Sequence, residues 1–246
     1  MYSPGFFKVS VKAMSARELI RRFGIWRFPL LFLVARFAHI QPFIHWMPQL
    51  WADLECDQQM LPEEFWPKTA RHREAVEKLG FVCCGFSRLK NELSLNRLNL
   101  DNGKVTYIHK NNIHIALVLY HKTRIAEPVN KEKEEVVVAF TAAFPIGSLS
   151  CSNAKGGFEP NADEQVVRNY TDDVLVLYET FLNALKPKSA QPLTFSTTEQ
   201  MKQLFDERLV KRFENRVKRG LFIKMTDLEI EQARRRIPPP LPKQGN

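Results

Sequence analysis

Residues 104–120 read KVTYIHKNNIHIALVLY, and this stretch decides the fold. Lys104 to His109 is rich in strand formers. Lys110-Asn111-Asn112-Ile113 is a turn, since Asn tolerates positive φ. After it Ile113, Ile115, Leu117 and Leu119 alternate with His114, Ala116, Val118 and Tyr120, the period of a strand. With Asn111-Asn112 as a two-residue turn, His109 falls opposite His114.

The same period extends on both sides. Upstream, Asp101-Asn102-Gly103 matches a hairpin turn. Before it, Leu93, Leu95, Leu98 and Leu100 form a mixed alternation with a bulge near Asn96-Arg97, and Phe81 to Leu89 is a further strand. Downstream, Arg124 to Glu135 is polar and reads as a loop. Val136, Val138, Phe140, Ala142 and Phe144 then share one face, and Leu149 to Ser152 is one more short strand. No helical pattern separates these runs, so they form an antiparallel sheet rather than βαβ units.

Helices bracket the sheet. Leu61-Pro62-Glu63-Glu64 opens one that Gly80 stops. Thr171-Asp172-Asp173 caps another, Val174 to Leu185, ended by Lys186-Pro187. The expected class is therefore α+β: an antiparallel meander of five or six strands flanked by helices and covered on one face. Three segments follow: 1–60, helical and aromatic; 61–186, the sheet domain; and 187–246, a basic helical extension. In the extension, Thr197-Thr198-Glu199 opens a helix to Arg219, and Thr226-Asp227-Leu228-Glu229 starts a second, shorter one. Its end, Ile237-Pro238-Pro239-Pro240-Leu241-Pro242, is an extended polyproline tail.

The 246 residues carry a net charge of +9, unevenly distributed. Residues 1–50 hold seven bases against Glu18 alone, and 186–246 hold fourteen bases against seven acids. The body, 51–185, holds fifteen bases against nineteen acids. An acidic body with basic ends points to ends that meet an anionic partner or stay solvated.

In the first segment Ser15-Ala16-Arg17-Glu18 is a capping box, so a helix starts near Ala16. From Phe23 to Trp51 the only charges are Arg27 and Arg36. A membrane span is not expected: the best window, Phe28 to Met47, has Arg36 near its centre, which costs about 2.5–3.5 kcal/mol. A secretory signal fits equally poorly. Two readings of the segment stay open. In one, Arg21, Arg22, Trp26, Arg27, Phe32, Arg36 and Trp46 contact an anionic membrane surface; in the other, the aromatic face packs on the protein itself or on a partner protein.

Catalytic signatures are absent from the sequence. Cys83-Cys84 form no Cys-x-x-Cys, no Gly-x-Ser-x-Gly occurs, and the loop around Lys155-Gly156-Gly157 lacks phosphate-loop spacing. His109 and His114 show no third ligand at a recognisable spacing, so neither metal nor cofactor is expected. The function expected is that of a non-enzymatic binding or scaffold protein, cytoplasmic and peripherally associated with an anionic membrane. One alternative is a ligand-binding or hydrolase-like domain whose sheet cleft is lined by His109, His114, Tyr107, Lys155, Gly156 and Gly157. A second is electrostatic nucleic-acid binding by Arg208, Lys211, Arg212, Arg216, Lys218 and Arg219, against which the interrupting acids Asp206, Glu207 and Glu214 argue. Substrate and oligomeric state are not written in the sequence.

Overall fold

The computed structural model describes residues 5–23, 33, 45–46, 50, 54–88, 98–125, 131–155 and 160–235. In chain order these contain β1 (Phe7–Val9), α1 (Ala16–Phe23), β2 (His45–Trp46), β3 (Glu55–Cys56) and α2 (Phe65–Lys78). There follow β4 (Phe81–Ser87), β5 (Leu98–His109), β6 (His114–Ile125), β7 (Lys131–Ala143), β8 (Ser148–Ser152) and β9 (Glu164–Arg168). The chain continues through α3 (Val174–Leu185), α4 (Thr198–Lys218), β10 (Phe222–Lys224) and α5 (Asp227–Arg235). The protein is α+β, as expected. Strands β3 to β9 form one seven-stranded sheet in sequential order, antiparallel throughout except for the parallel pair β8 and β9. The aromatic stretch 30–40 apart from residue 33, the residues 93–97 before β5 and the proline-rich tail lie outside the described residues.

The Asn turn forms as read. Asn112 takes φ 59°, its N–H donates to His109 O at 2.7 Å, and Asn111 Oδ1 accepts from Ile113 N–H at 3.0 Å. Ile108 pairs with Ile115, which sets His109 opposite His114.

The expected turn at Asp101-Asn102-Gly103 does not exist. β5 runs straight through it, pairing Asp101 with Lys122, Asn102 with His121 and Gly103 with Tyr120. The glycine answers a packing need instead: a Cβ there would fall 2.8 Å from Phe65 Cδ2, so α2 could not approach the sheet this closely. The polar stretch read as a loop is mostly strand. β6 and β7 pair along it, with His121 opposite Glu135, Lys122 opposite Glu134 and Arg124 opposite Glu132 in the register, and Lys122 Nζ lies 3.4 Å from Glu134 Oε1.

Val105 and Tyr107 on β5, Ala116, Val118 and Tyr120 on β6, and Val138, Phe140 and Ala142 on β7 are buried beneath α2 and α3. α3 starts where Asp173 Oδ1 accepts from Leu175 N–H (2.8 Å) and Val176 N–H (3.2 Å). Burying a side chain such as Phe181, Phe140 or Val118 stabilises the fold by about 1.5–3 kcal/mol each.

The opposite face is also covered, contrary to the sequence reading. Leu193 N–H donates to Ala143 O (2.7 Å) and Phe195 N–H to Asn112 O (2.9 Å), which lays the chain across the sheet edge. Phe195 and Met201 then pack on Ile115 and Ala143. Tertiary contact, rather than the solvated surface suggested by its mixed charges, is what fixes α4.

Candidate functional site: a basic module built from both chain ends

β1 pairs antiparallel with β10 (Phe7 to Lys224, Val9 to Phe222) and on its other side with β2 (Phe7 to Trp46). The two ends of the chain, read as separate segments from sequence, thus fold as one unit. Its core is Phe7, Val9, Met14, Leu19, Phe213, Leu221 and Phe222, with the Phe7 and Phe213 rings edge-on at 4.7 Å. Both capping boxes form. Ser15 N–H donates to Glu18 Oε2 (2.9 Å) while Glu18 N–H donates to Ser15 Oγ (3.2 Å), and Thr226 N–H donates to Glu229 Oε2 (2.9 Å). Lys8 contacts Glu229 and holds that carboxyl below its ordinary range. The Arg216 guanidinium lies 5.7 Å over Phe222, and burial, aided by Arg212, lowers its pKa to about 10.

Residues 5–23 and 213–235 of this unit carry eleven bases against five acids. Lys12, Arg17, Lys218 and Arg234 are exposed. Arg21 and Arg22 follow Arg17 on α1, and Trp46 sits in β2, although their side chains lie outside the described residues. Trp26, Arg27, Phe32 and Arg36 lie outside them altogether. The stretch 24–44 that holds them leaves the unit at Phe23 and re-enters it at His45, beside β1.

The bases proposed for nucleic acid have partners inside the molecule. Arg208 donates to Gly147 O (2.6 Å) and Phe144 O, at the turn between β7 and β8. Lys211 pairs with Asp163 at 2.8 Å, Arg212 with Glu164 at 2.8 Å and Arg219 with Glu18 at 3.1 Å. Arg216 is buried, while Lys211, Lys218 and Arg219 are exposed, the first and last of them facing acids of their own chain. These contacts dock α4 on the sheet edge.

Of the cleft set, His109 and His114 are brought together and Lys155 is not. His109 and His114 face each other with ring centroids 5.8 Å apart, inside a cluster with Phe81, Phe140, Tyr178 and Phe181. His109 Nε2–H donates to Leu79 O (3.2 Å) and its Nδ1 accepts from Asn111 N–H (3.2 Å). His114 Nδ1 lies 3.0 Å from the Tyr178 hydroxyl, and burial, reinforced by His109, pushes its pKa down to about 4. Tyr107 donates to Glu77 at 3.3 Å, and burial followed by that carboxylate raises its phenol well above the ordinary value. Lys155 is exposed, and its N–H lies 3.5 Å from Glu135, which pairs with His121 at the far end of β6. Seven residues of strand, roughly 23 Å, separate His114 from that end. Gly156 and Gly157 lie outside the described residues.

The thiols are poor nucleophiles in their surroundings. Burial raises Cys83 and pushes Cys84 and Cys151 up to about 11. Among the described residues no three His, Cys, Asp or Glu side chains gather to hold a metal ion, and no helix is long and apolar enough to cross a membrane.

Sequence reasoning missed two polar pairings. His72, buried on α2, has Nε2 2.9 Å from Asp172 Oδ1, and burial lowers its pKa. Lys122, also buried, meets Glu64 at 3.0 Å, and the same carboxylate accepts from Tyr120 at 2.7 Å. Partners 58 to 100 residues away leave no local signal. A groove of about 730 Å³ along α4, lined by Leu50, Glu55, Glu199, Lys202, Asp206 and Val210, is acidic, opposite in sign to the end unit. No family model, curated protein or solved structure matches the chain.

Proposed function

We propose that the protein is a non-enzymatic binding protein that attaches to anionic membrane surfaces through its basic end module. The observation that carries this reading is the pairing of β1 with β10, which gathers positive charge from both chain ends into one unit. The aromatic stretch 24–44, with Arg27 and Arg36, is tied to that unit at both of its ends. Each Lys or Arg near an anionic leaflet contributes about 1 kcal/mol, so Lys12, Arg17, Lys218 and Arg234 alone favour binding by roughly a thousandfold before any ring inserts. Tryptophan and phenylalanine at headgroup depth add a part that salt does not screen.

Two facts weigh against the alternatives. Most bases of α4 face acids or carbonyls of their own chain, and the histidine pair is closed by a carbonyl, a backbone amide and aromatic rings. The test is flotation of the full chain with vesicles of phosphatidylserine and phosphatidylcholine against phosphatidylcholine alone, at low and high salt. Flotation with the anionic vesicles only, weakened but not abolished by salt, is the result expected. Equal recovery with both vesicle types, or none with either, contradicts the reading.

A further inference from the structure

β9 ends the sheet among the described residues, and its ladder with β8 fixes where its backbone points. Ser148 N–H donates to Asp163 O (3.2 Å) and Asn169 N–H to Ser152 O (3.1 Å). Residues 163, 165, 167 and 169 therefore turn their backbone groups toward β8. By strand alternation the N–H and C=O of Val166 point off the sheet. Its side chain, on the face that α4 partly covers, is 39% exposed.

The other face of the same edge, where Gln165 and Val167 lie, also has exposed apolar neighbours. Thr180 Oγ1 on α3 accepts from Asn169 Nδ2 (2.9 Å), which marks the side of the helix nearest β9. Val176, one turn earlier on that side, is 42% exposed, and Tyr170, just past β9, is 62% exposed. An edge strand with outward backbone groups and apolar flanks on both faces is a template for a further strand.

The sequence of β9 names the occupant. Run antiparallel about Val166, Glu164-Gln165-Val166-Val167-Arg168 sets Val166 against Val166, Gln165 against Val167, and the opposite charges Glu164 and Arg168 against each other. A parallel arrangement instead opposes Glu164 to Glu164. We propose that two copies of this chain join edge to edge through β9, continuing the sheet across a two-fold axis at Val166. The axis pairs the outward N–H and C=O of each Val166 with those of the other, a closed isologous contact. Glu164, which already receives Arg212 on its own chain at 2.8 Å, then lies between two guanidinium groups.

The experiment is sedimentation velocity of the full chain up to about 100 μM, with two variants. Val166→Pro removes only an N–H that points away from the sheet, a position where an edge strand accepts proline. Val166→Lys places two ammonium groups at the axis. The wild type is expected to sediment as a dimer, and both variants as folded monomers with self-association weakened at least tenfold. If Val166→Pro loses its far-ultraviolet signature, Val166→Lys decides alone. A wild type that stays monomeric throughout, or a dimer that survives Val166→Lys, overturns the proposal.

Discussion

Arg219 Nη2 lies 3.1 Å from Glu18 Oε2, a contact between residues 201 apart in sequence that ties the first helix of the chain to the end of α4. The Glu18 side chain is 1% exposed and also accepts from Ser15 N–H, so one carboxylate caps α1 and locks it to the C-terminal strands. Removing it leaves the Ser15 N–H without its acceptor and Arg219 without this tie to α1. Glu18→Ala should therefore destabilise the end module by about 2–3 kcal/mol in urea unfolding. A change within about 0.5 kcal/mol would mean that the hydrophobic cluster of Phe7, Val9, Leu19 and Phe213 holds the two ends unaided.

The turn between β7 and β8 makes a sharper demand. Gly147 has φ 83°, and a Cβ on it would fall 1.6 Å from Asp163 O. Gly220 also has positive φ (69°), but nothing lies within 4 Å of its Cβ position. Gly220→Ala should cost about 1 kcal/mol and Gly147→Ala at least twice that, read as thermal melts side by side. Equal losses would show that backbone conformation alone matters at Gly147.

Turns with a local cause were legible in the sequence, and contacts with a distant cause were not. The turn at Asn111-Asn112 was legible because positive φ and the Asn side-chain hydrogen bond are local properties. Asp101-Asn102-Gly103 carried the same local signal and misled, because Gly103 serves a helix 38 residues away, at Phe65. Strands β1, β9 and β10 have three to five residues each, too few for a period to register, and they form because distant partners complete their ladders. The partners of the α4 bases were hidden for the same reason. Their acids, Asp163, Glu164 and Glu18, lie 48 to 201 residues away.

That internal pairing yields a prediction of its own. Arg208→Ala leaves two carbonyls of the β7 to β8 turn without their donor and should lower stability by about 1–2 kcal/mol. Affinity for single-stranded RNA or duplex DNA, followed by fluorescence anisotropy at physiological salt, should be weak and unchanged by the substitution. A steep loss of nucleic-acid binding with no loss of stability would return α4 to the list of interaction surfaces.

The histidine pair predicts a pH dependence with a definite sign. His114 is depressed from 6.5 to about 4, first by burial and then by His109. Between those values the native state binds fewer protons than the unfolded chain, so stability is full above about pH 6.5 and falls as the pH drops toward 4. His72, lowered mainly by burial, adds to the same slope. The His114 ring resonances should titrate near pH 4, and His114→Phe should flatten the fall without removing it. A titration near 6.5 would mean that the aromatic cluster admits water.

The proposed membrane contact belongs to the end module and not to net charge in general. Two double variants with the same change in net charge separate these. Lys12→Glu with Arg17→Glu alters exposed positions of the module, and Lys110→Glu with Lys188→Glu alters exposed positions outside it. Partitioning to phosphatidylserine vesicles should fall at least tenfold for the first pair and stay near wild type for the second. Equal loss in both pairs, or none in either, would contradict the account.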